Sequence, residues 1–451
     1  IYKSIAEVKK LKKFSQISLV FTLLVTFLCS QFALSTQQAA AADSDDILDI
    51  SAEAAILLDA ETGKILYEKN ADTVLGVASM SKMMTEYIVL EAISEGKIEW
   101  DQTVQINEYV HNLSKAAGLS NVGLTQGENY TVKELYEAMA IFSGNAATVA
   151  LAELVSGSEK NFVELMNKKA AELGMTDYTF VNASGLNNSN LLGVIPAGGQ
   201  NDENVMSARD TAILAYRLLT DFPEVLETSS QPTLTFRDGE EYPNFNWMLP
   251  GLIFEYKGVD GLKTGSTDFA GYCFTATAER DGQRYISVVM KSSTKNERFT
   301  DTAKILNYAF SNFSDEEIFE AGYVPKEYSE LAVSKGKEKT VALETSKALD
   351  LAIEKGTKDS YEPVVVIDED LLNEDGELVA PIKKGDVIGY VTVQSADDQY
   401  GFLTSEKSAR VDLVAAETVE KANWFVLSMR AVGGFFGDVW DTVSSTVKGW
   451  F

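Results

Sequence analysis

Ala78-Ser79-Met80-Ser81-Lys82-Met83-Met84-Thr85 opens a run in which Met83, Tyr87, Leu90 and Ile93 recur at helical spacing, and its reading decides the fold. The periodicity predicts an amphipathic helix over 79–95. A serine and a lysine three positions apart share one face of it, so the lysine can reach the hydroxyl one turn back. The helix start also offers unpaired N–H groups and the positive end of the helix dipole to developing negative charge. Ser-x-x-Lys by itself is weak, since it recurs at Ser94/Lys97, Ser292/Lys295, Ser334/Lys337 and Ser445/Lys448. Two partners distinguish the copy at Ser79: Ser143-Gly144-Asn145 and Lys263-Thr264-Gly265, each of which occurs once.

Working outward, residues 54–70 alternate as a hairpin that turns through Glu61-Thr62-Gly63. From 131 to 220 the pattern is mostly helical, interrupted by a Gly/Asn-rich loop at 187–204. Strands return at 258–264, 271–278 and 284–291, the last two joined across Arg280-Asp281-Gly282, and a helix over 298–310 closes the series. Terminal strands that enclose a helical insert predict an α+β core, an antiparallel sheet flanked by helices. Valine-rich strands with charged turns then alternate over 321–414 and predict a small β-sandwich carrying no catalytic signature, a spacer or positioning module.

The chemistry is limited by what the chain lacks. Its single histidine, His111, lies in a polar stretch that reads as loop or surface, so a Ser-His-Asp triad has one poor candidate. One histidine and two cysteines cannot supply a zinc site, and neither metal nor other cofactor is expected. If Ser79 is a nucleophile, Lys82 is the available base, and it must be neutral for part of the cycle. Burial and a second cation, Lys263, would each lower its affinity for a proton. In a strand-end Lys-Thr-Gly, Lys263 points into the cleft, the Thr264 hydroxyl meets a substrate carboxylate, and Gly265 lets backbone approach substrate. The N–H groups of Ser79 and Ser266 then form an oxyanion hole, and Ser143 with Asn145 completes a proton relay. Taken singly, the three motifs read as a helix cap, a turn and a strand end. Their order and element types together predict a Ser-x-x-Lys acyl-transfer enzyme.

The flanks place this chemistry. Residues 1–42 read as a cleaved export signal: five lysines, an apolar run over 17–28, and alanines at 39–42. Cys29 leaves with it and Cys273 remains alone, so no internal disulfide is expected. Losing five lysines and one glutamate takes the formal charge from −28 to −32, which argues against nucleic-acid binding. At the other end Phe425, Met429, Val432, Phe436, Val439, Val443, Val447 and Trp450 recur at helical spacing among charges, with Trp424, Trp440 and Phe451 added. This pattern predicts an amphipathic helix lying on a membrane surface, with docking onto the protein's own core as the alternative. The expected organisation is a signal at 1–42, a catalytic domain at 43–313, a β-sandwich at 314–416 and the anchor helix at 417–451.

The motifs resemble those of the low-molecular-mass penicillin-binding proteins, the serine-type D-alanyl-D-alanine carboxypeptidases of peptidase family S11. The segment 78–85 is similar to that family's first motif, Val259-Asp260-Gly261-Leu262-Lys263-Thr264-Gly265 to its third, and Asn182-Ala183-Ser184-Gly185-Leu186 to a family loop. The resemblance covers nearly the whole chain. It implies the penicillin-binding protein/β-lactamase-like fold, an acylated Ser79, Lys82 as base, Ser143 as relay hydroxyl and Lys263 as a substrate-binding cation. Arg298, in Asn296-Glu297-Arg298-Phe299, is similarly placed to the arginine that meets the substrate carboxylate with Thr264. The resemblance also implies peptidoglycan pentapeptides as substrate, β-lactams as inhibitors and the outer face of the cytoplasmic membrane as the site of attachment. Two departures are visible: Ala146 stands where aspartate is common, and Gly76-Val77 where proline is frequent. A β-lactamase and a catalytically silent wall scaffold are the alternative readings of the sequence, and the oligomeric state is open.

Overall fold

Every residue of β1 (Ala54–Asp59) is buried, the signature of a strand covered on both faces. The structure is a computed structural model that describes residues 46–396, 398–404 and 409–429. The chain divides into a first unit, 1–49, and a second, 50–451, which holds the fold described here. The expected export signal at 1–42 lies outside the described residues, as does the expected anchor helix from 430 onward. Among the described residues no helix is long and apolar enough to cross a membrane.

β1 turns into β2 (Ile65–Lys69), and the chain enters the helices α1 (Lys82–Ser94), α2 (Glu108–Ser114), α3 (Val132–Ala140), α4 (Asn145–Ser156), α5 (Glu159–Glu172) and α6 (Ala208–Asp221). It returns as β3 (Val259–Thr267), β4 (Gly271–Arg280) and β5 (Gln283–Ser292), and α7 (Glu297–Asn312) follows. The five strands form one antiparallel sheet in the order β3-β4-β5-β1-β2. Ile56 pairs with Val288 and Leu57 with Ser287, so the returning segment closes against the hairpin that began it.

Alternation sorts the side chains between the faces. Ala54, Ile56, Leu58, Ile286, Val288 and Met290 join the large core shared with α1, α3, α4, α5 and α6. On the other face, α7 packs against β4 and β5: the Phe274 and Phe299 rings meet edge-on at 5.5 Å, and Tyr285 and Phe310 at 4.9 Å. β3 lies at the edge of the sheet, which leaves its outer side facing the helices and the start of α1.

The helix expected to be amphipathic is not. Residues 82–90 are all buried, because α4, α5, α6 and α3 enclose α1 while β3 lies along its start. A helix enclosed on all sides shows no polar face.

Beyond α7, β6 (Phe313–Phe319) pairs with β9 (Leu349–Glu354). β7 (Glu330–Ser334), β8 (Thr340–Thr345), β10 (Glu362–Ile367), β11 (Leu378–Val379), β12 (Val387–Gln394) and β13 (Val411–Ala415) form a six-stranded sheet in the order β10-β12-β13-β8-β7-β11. Phe319, Val341, Leu343, Leu351, Ile353, Val391 and Leu413 fill a second core between them. The β12–β13 connection reaches the β1–β2 hairpin: Leu403 N donates to Gly63 O at 2.9 Å, Ile65 N donates to Gly401 O at 2.9 Å, and Lys64 pairs with Asp398 at 3.0 Å. Leu403 is buried with the first core rather than the second.

Candidate active site

Ser79 sits in a single 3-10 turn, Ala78–Ser81, that leads into α1. Ala78 takes a φ of 46°, a left-handed conformation that costs a non-glycine residue about 1–2 kcal/mol and turns the chain sharply ahead of Ser79. Gly185 makes this turn feasible: at φ 79° a Cβ there would stand 1.9 Å from Ala78 O. Gly265 does the same from the other side, since a Cβ on it would come within 2.4 Å of Val77 O and 3.2 Å of Ser79 N. The backbone of β3 therefore lies directly on the backbone of the Ser79 turn. Lys263-Thr264-Gly265 falls inside β3, which runs on to Thr267, and not at its end as the sequence suggested.

Lys82 is the first residue of α1 and is fully buried. Its Nζ lies 3.0 Å from Ser79 Oγ, 2.8 Å from Asn145 Oδ1 and 2.7 Å from Ser184 O. Asn145 cannot be reversed, because its Nδ2 donates to Ser120 O at 2.9 Å. Asn145 Oδ1 and Ser184 O can only accept, whereas Ser79 Oγ can also donate. A neutral amine has two N–H groups and one lone pair. With both N–H groups given to the two pure acceptors, the lone pair of Lys82 is left facing the Ser79 hydroxyl. Burial, followed by the charge of Lys263, holds Lys82 well below the ordinary lysine range, against the opposing pull of Glu86.

The Ser184 carbonyl is fixed by a buried asparagine network. Asn182 Oδ1 accepts from Ser184 N at 3.1 Å and Gly185 N at 2.7 Å, and Asn204 Oδ1 accepts from Val181 N and Asn182 N. Thr85 Oγ1 donates to Ala183 O at 2.9 Å and ties the loop to α1.

Ser143 is buried at φ 58°, and its Oγ has no hydrogen-bond partner among the described residues, which leaves it able to engage a group entering the cleft. Lys263 is buried and its Nζ approaches Thr264 O at 3.4 Å. Burial pushes it down, opposed by Glu86 and reinforced by Arg298. Arg298, from α7, donates through Nη1 to Gly265 O at 3.3 Å, and burial lowers it only to about 10, leaving it cationic at neutral pH.

Ser79, Ser143, Thr264, Ser266 and Arg298 line one polar cavity of about 110 Å³, with Ser120, Phe245, Gly265 and Lys295. Lys82 and Asn145 adjoin it through Ser79 and Ser120, and Lys263 through Thr264. All eight sequence-predicted residues thus meet at one place. Ser120, Phe245, Lys295 and the Ser184 carbonyl were not foreseen. Lys295 had a signal, though a misleading one: it ends one of the discarded Ser-x-x-Lys copies, and its ammonium lies 4.0 Å from the Trp247 ring centre. His111 lies on α2, not in a loop, with Nδ1 against Leu124 O and Gln126 N. Among the described residues no cluster of three or more His, Cys, Asp or Glu could hold a metal ion.

The fold and the site define a serine hydrolase of the acyl-transferring kind. Residues 36–294 match the D-alanyl-D-alanine carboxypeptidase family, peptidase S11, and residues 313–421 match the penicillin-binding protein 5 C-terminal domain. The chain is 33% identical over 419 residues to the D-alanyl-D-alanine carboxypeptidase DacF of Bacillus subtilis, covering 92% of this chain and 98% of that one. It is similar to the peptidoglycan synthesis regulatory factor PBP3 of Streptococcus pneumoniae, at 36% identity and a TM-score of 0.70, over 82% of this chain and 100% of that one. Penicillin-binding protein D2 of Listeria monocytogenes, in its ampicillin-bound form, shares 37% identity at a TM-score of 0.51, over 58% and 99% respectively. The chain belongs to the D-alanyl-D-alanine carboxypeptidase family, the low-molecular-mass type of penicillin-binding protein.

Proposed function

We propose that this serine carboxypeptidase removes the terminal D-alanine of peptidoglycan stem pentapeptides through an acyl-enzyme on Ser79, with Lys82 as the base. The observation that carries the assignment is the coordination of Lys82 Nζ: two fixed acceptors, Asn145 Oδ1 and Ser184 O, and one hydroxyl able to give up a proton.

Ser79 Oγ attacks the carbonyl of the D-Ala-D-Ala peptide bond while its proton passes to Lys82. The oxyanion forms beside the N–H groups of Ser79 and Ser266, a reading supported by the close approach of Gly265, the residue before Ser266, to Ser79 N. The C–N bond then breaks, and Ser143 hands the proton from Lys82 to the departing amine. Water hydrolyses the ester by the reverse relay. Thr264 and Arg298, which line the cavity, provide the hydroxyl and positive charge for the terminal carboxylate, with the Lys263 ammonium close to Thr264 O. β-Lactams present the same acyl group and carboxylate, and they acylate the same serine.

Compartment and attachment belong to the same reading. The lysine-led apolar start and the family's cell-wall substrate support export, with 1–42 removed. The aromatic, periodic tail supports attachment to the outer face of the cytoplasmic membrane, with the β-sandwich of 314–416 as the spacer from the catalytic domain of 43–313. D-alanine release from a pentapeptide analogue, measured for the wild type and Ser79→Ala, tests the reaction: release by the first alone is expected, and release by both overturns the role of Ser79. Deletion of 418–451 should free the protein from vesicles, and a truncated form that still sediments with them overturns the anchor.

A further inference from the structure

Glu86 follows Lys82 by one turn of α1, so both side chains project from the same face of the helix. It is 3% exposed, and its Oε1 is buried with no hydrogen-bond partner among the described residues. A carboxylate stranded in an interior is costly unless a nearby charge compensates it. The compensation is at hand. Lys82 lies on its own helix and Lys263 on β3, and Glu86 interacts electrostatically with both. Tyr136, from α3, also faces its charge, and the Tyr136 Oη is likewise buried without a hydrogen-bond partner among the described residues. The other charged groups around α1 are engaged elsewhere: Glu159 of α5 accepts from Ala183 N, and Asp221 of α6 accepts from Tyr87 Oη and Arg217. α4 contributes the neutral Asn145. Arg298 acts on Lys263, and Glu224 on Tyr136.

The reaction imposes a charge problem on this interior. At rest Lys82 must be neutral while Lys263 stays cationic. When Ser79 transfers its proton, two ammonium groups share one buried space. We propose that Glu86 is a positioning residue for the reaction, a buried countercharge that keeps Lys263 protonated while Lys82 is neutral and balances the second positive charge when Lys82 receives the proton of Ser79. With Glu86 ionised, Lys263 and Glu86 cancel at rest. In the tetrahedral intermediate Lys82 and Lys263 carry two positive charges, and Glu86 and the oxyanion two negative ones. Burial lifts the Glu86 carboxyl to about 7 against the pull of Lys263 and Lys82, and burial lowers Lys263 to about 8 against the pull of Glu86. Each group thus supports the ionisation of the other.

The inference rests on the roles given to Lys82 and Lys263. Its test is the pH profile, from about pH 5 to 10, of the second-order rate of acylation by a fluorescent penicillin, for the wild type, Glu86→Gln and Glu86→Asp. Removing an anion makes both lysines release their protons more easily. Both limbs of the Glu86→Gln bell should therefore move to lower pH, the alkaline limb by about one unit or more, which is about tenfold in rate on that limb. Glu86→Asp keeps the charge and should hold both limbs near their wild-type positions. If the Gln variant does not fold, Glu86→Met removes the charge without burying an amide and carries the same prediction. A folded, charge-free variant whose bell is lowered or unchanged but not shifted overturns the countercharge. Lys82→Met separates this outcome from an error beneath it: a Met variant that acylates at the wild-type rate overturns the assignment of the base itself.

Discussion

Replacing Gly265 by alanine inserts one methyl group where three backbone atoms already stand. The new Cβ would lie 2.4 Å from Val77 O, 3.1 Å from Met80 N and 3.2 Å from Ser79 N. None of these is the end of a flexible side chain, so relief requires β3 and the Ser79 turn to separate. Bringing the first contact to an ordinary 3.4 Å opens the gap by about 1 Å. That gap lies between the two N–H groups proposed to hold the oxyanion, and a misplacement of about 1 Å at reacting groups costs on the order of 100-fold in rate. Overpacking of this kind also destabilises by about 1–3 kcal/mol. Gly265→Ala is therefore expected to remain folded, to unfold several degrees below the wild type, and to be acylated by a fluorescent penicillin about 100-fold more slowly. Stopped-time gel fluorescence gives the rate, and a thermal melt gives the stability. An acylation rate within about threefold of the wild type would refute the reasoning, because the oxyanion geometry would then not depend on this close approach.

Asn145→Asp keeps the shape but places a carboxylate against Lys82 and removes the donor to Ser120 O. The added anion should raise the proton affinity of Lys82 and move the acid limb of acylation up by about 1–3 pH units, with activity recovering at high pH; an unshifted limb counts against Lys82 as the base. Asp59 is buried, and burial lifts its carboxyl to about 6 despite hydrogen bonds from Thr62. Its folded value exceeds its unfolded one, so the native state binds this proton more tightly and stability falls as pH rises from about 4 to 6. Asp59→Asn removes that loss, and its stability relative to the wild type should grow by up to about 3 kcal/mol between pH 4 and 7. Urea denaturation at both values checks this, and a constant difference would exclude it.

What could be read from the sequence was what side chains announce. Ser79, Lys82, Ser143, Asn145 and Lys263 stand in short motifs, and the hairpin at 54–70 with the strands after 258 carried enough periodicity to predict an antiparallel sheet around a helical insert. The acceptor that orients Lys82 was invisible, because Ser184 offers a main-chain carbonyl and any residue has one. Its neighbours Asn182 and Gly185 are marked in the sequence only by resemblance, although Gly185 is there because a Cβ would strike Ala78 O. In the sequence Lys295 ends one of the duplicate motifs, and nothing local distinguishes a lysine at the cavity wall from one in solvent. Glu86 carries no motif of its own in the sequence, and the periodicity around it predicts an amphipathic helix with a polar face. Only the packing of α3, α4, α5 and α6 around α1 shows that no such face exists. The insertion of Leu403 from the β-sandwich connection into the first core was equally hidden, for its partners at Gly63 and Ile65 lie far away in sequence.

The central claim is that Ser79 becomes acylated with Lys82 as its base, and intact-mass and peptide-mapping measurement after brief exposure to a β-lactam tests it most directly. One adduct, located on the peptide that contains Ser79, is predicted for the wild type, and none for a Ser79→Ala variant with an unchanged thermal midpoint. An adduct of equal occupancy in Ser79→Ala, or one located on another residue of the wild type, would contradict it.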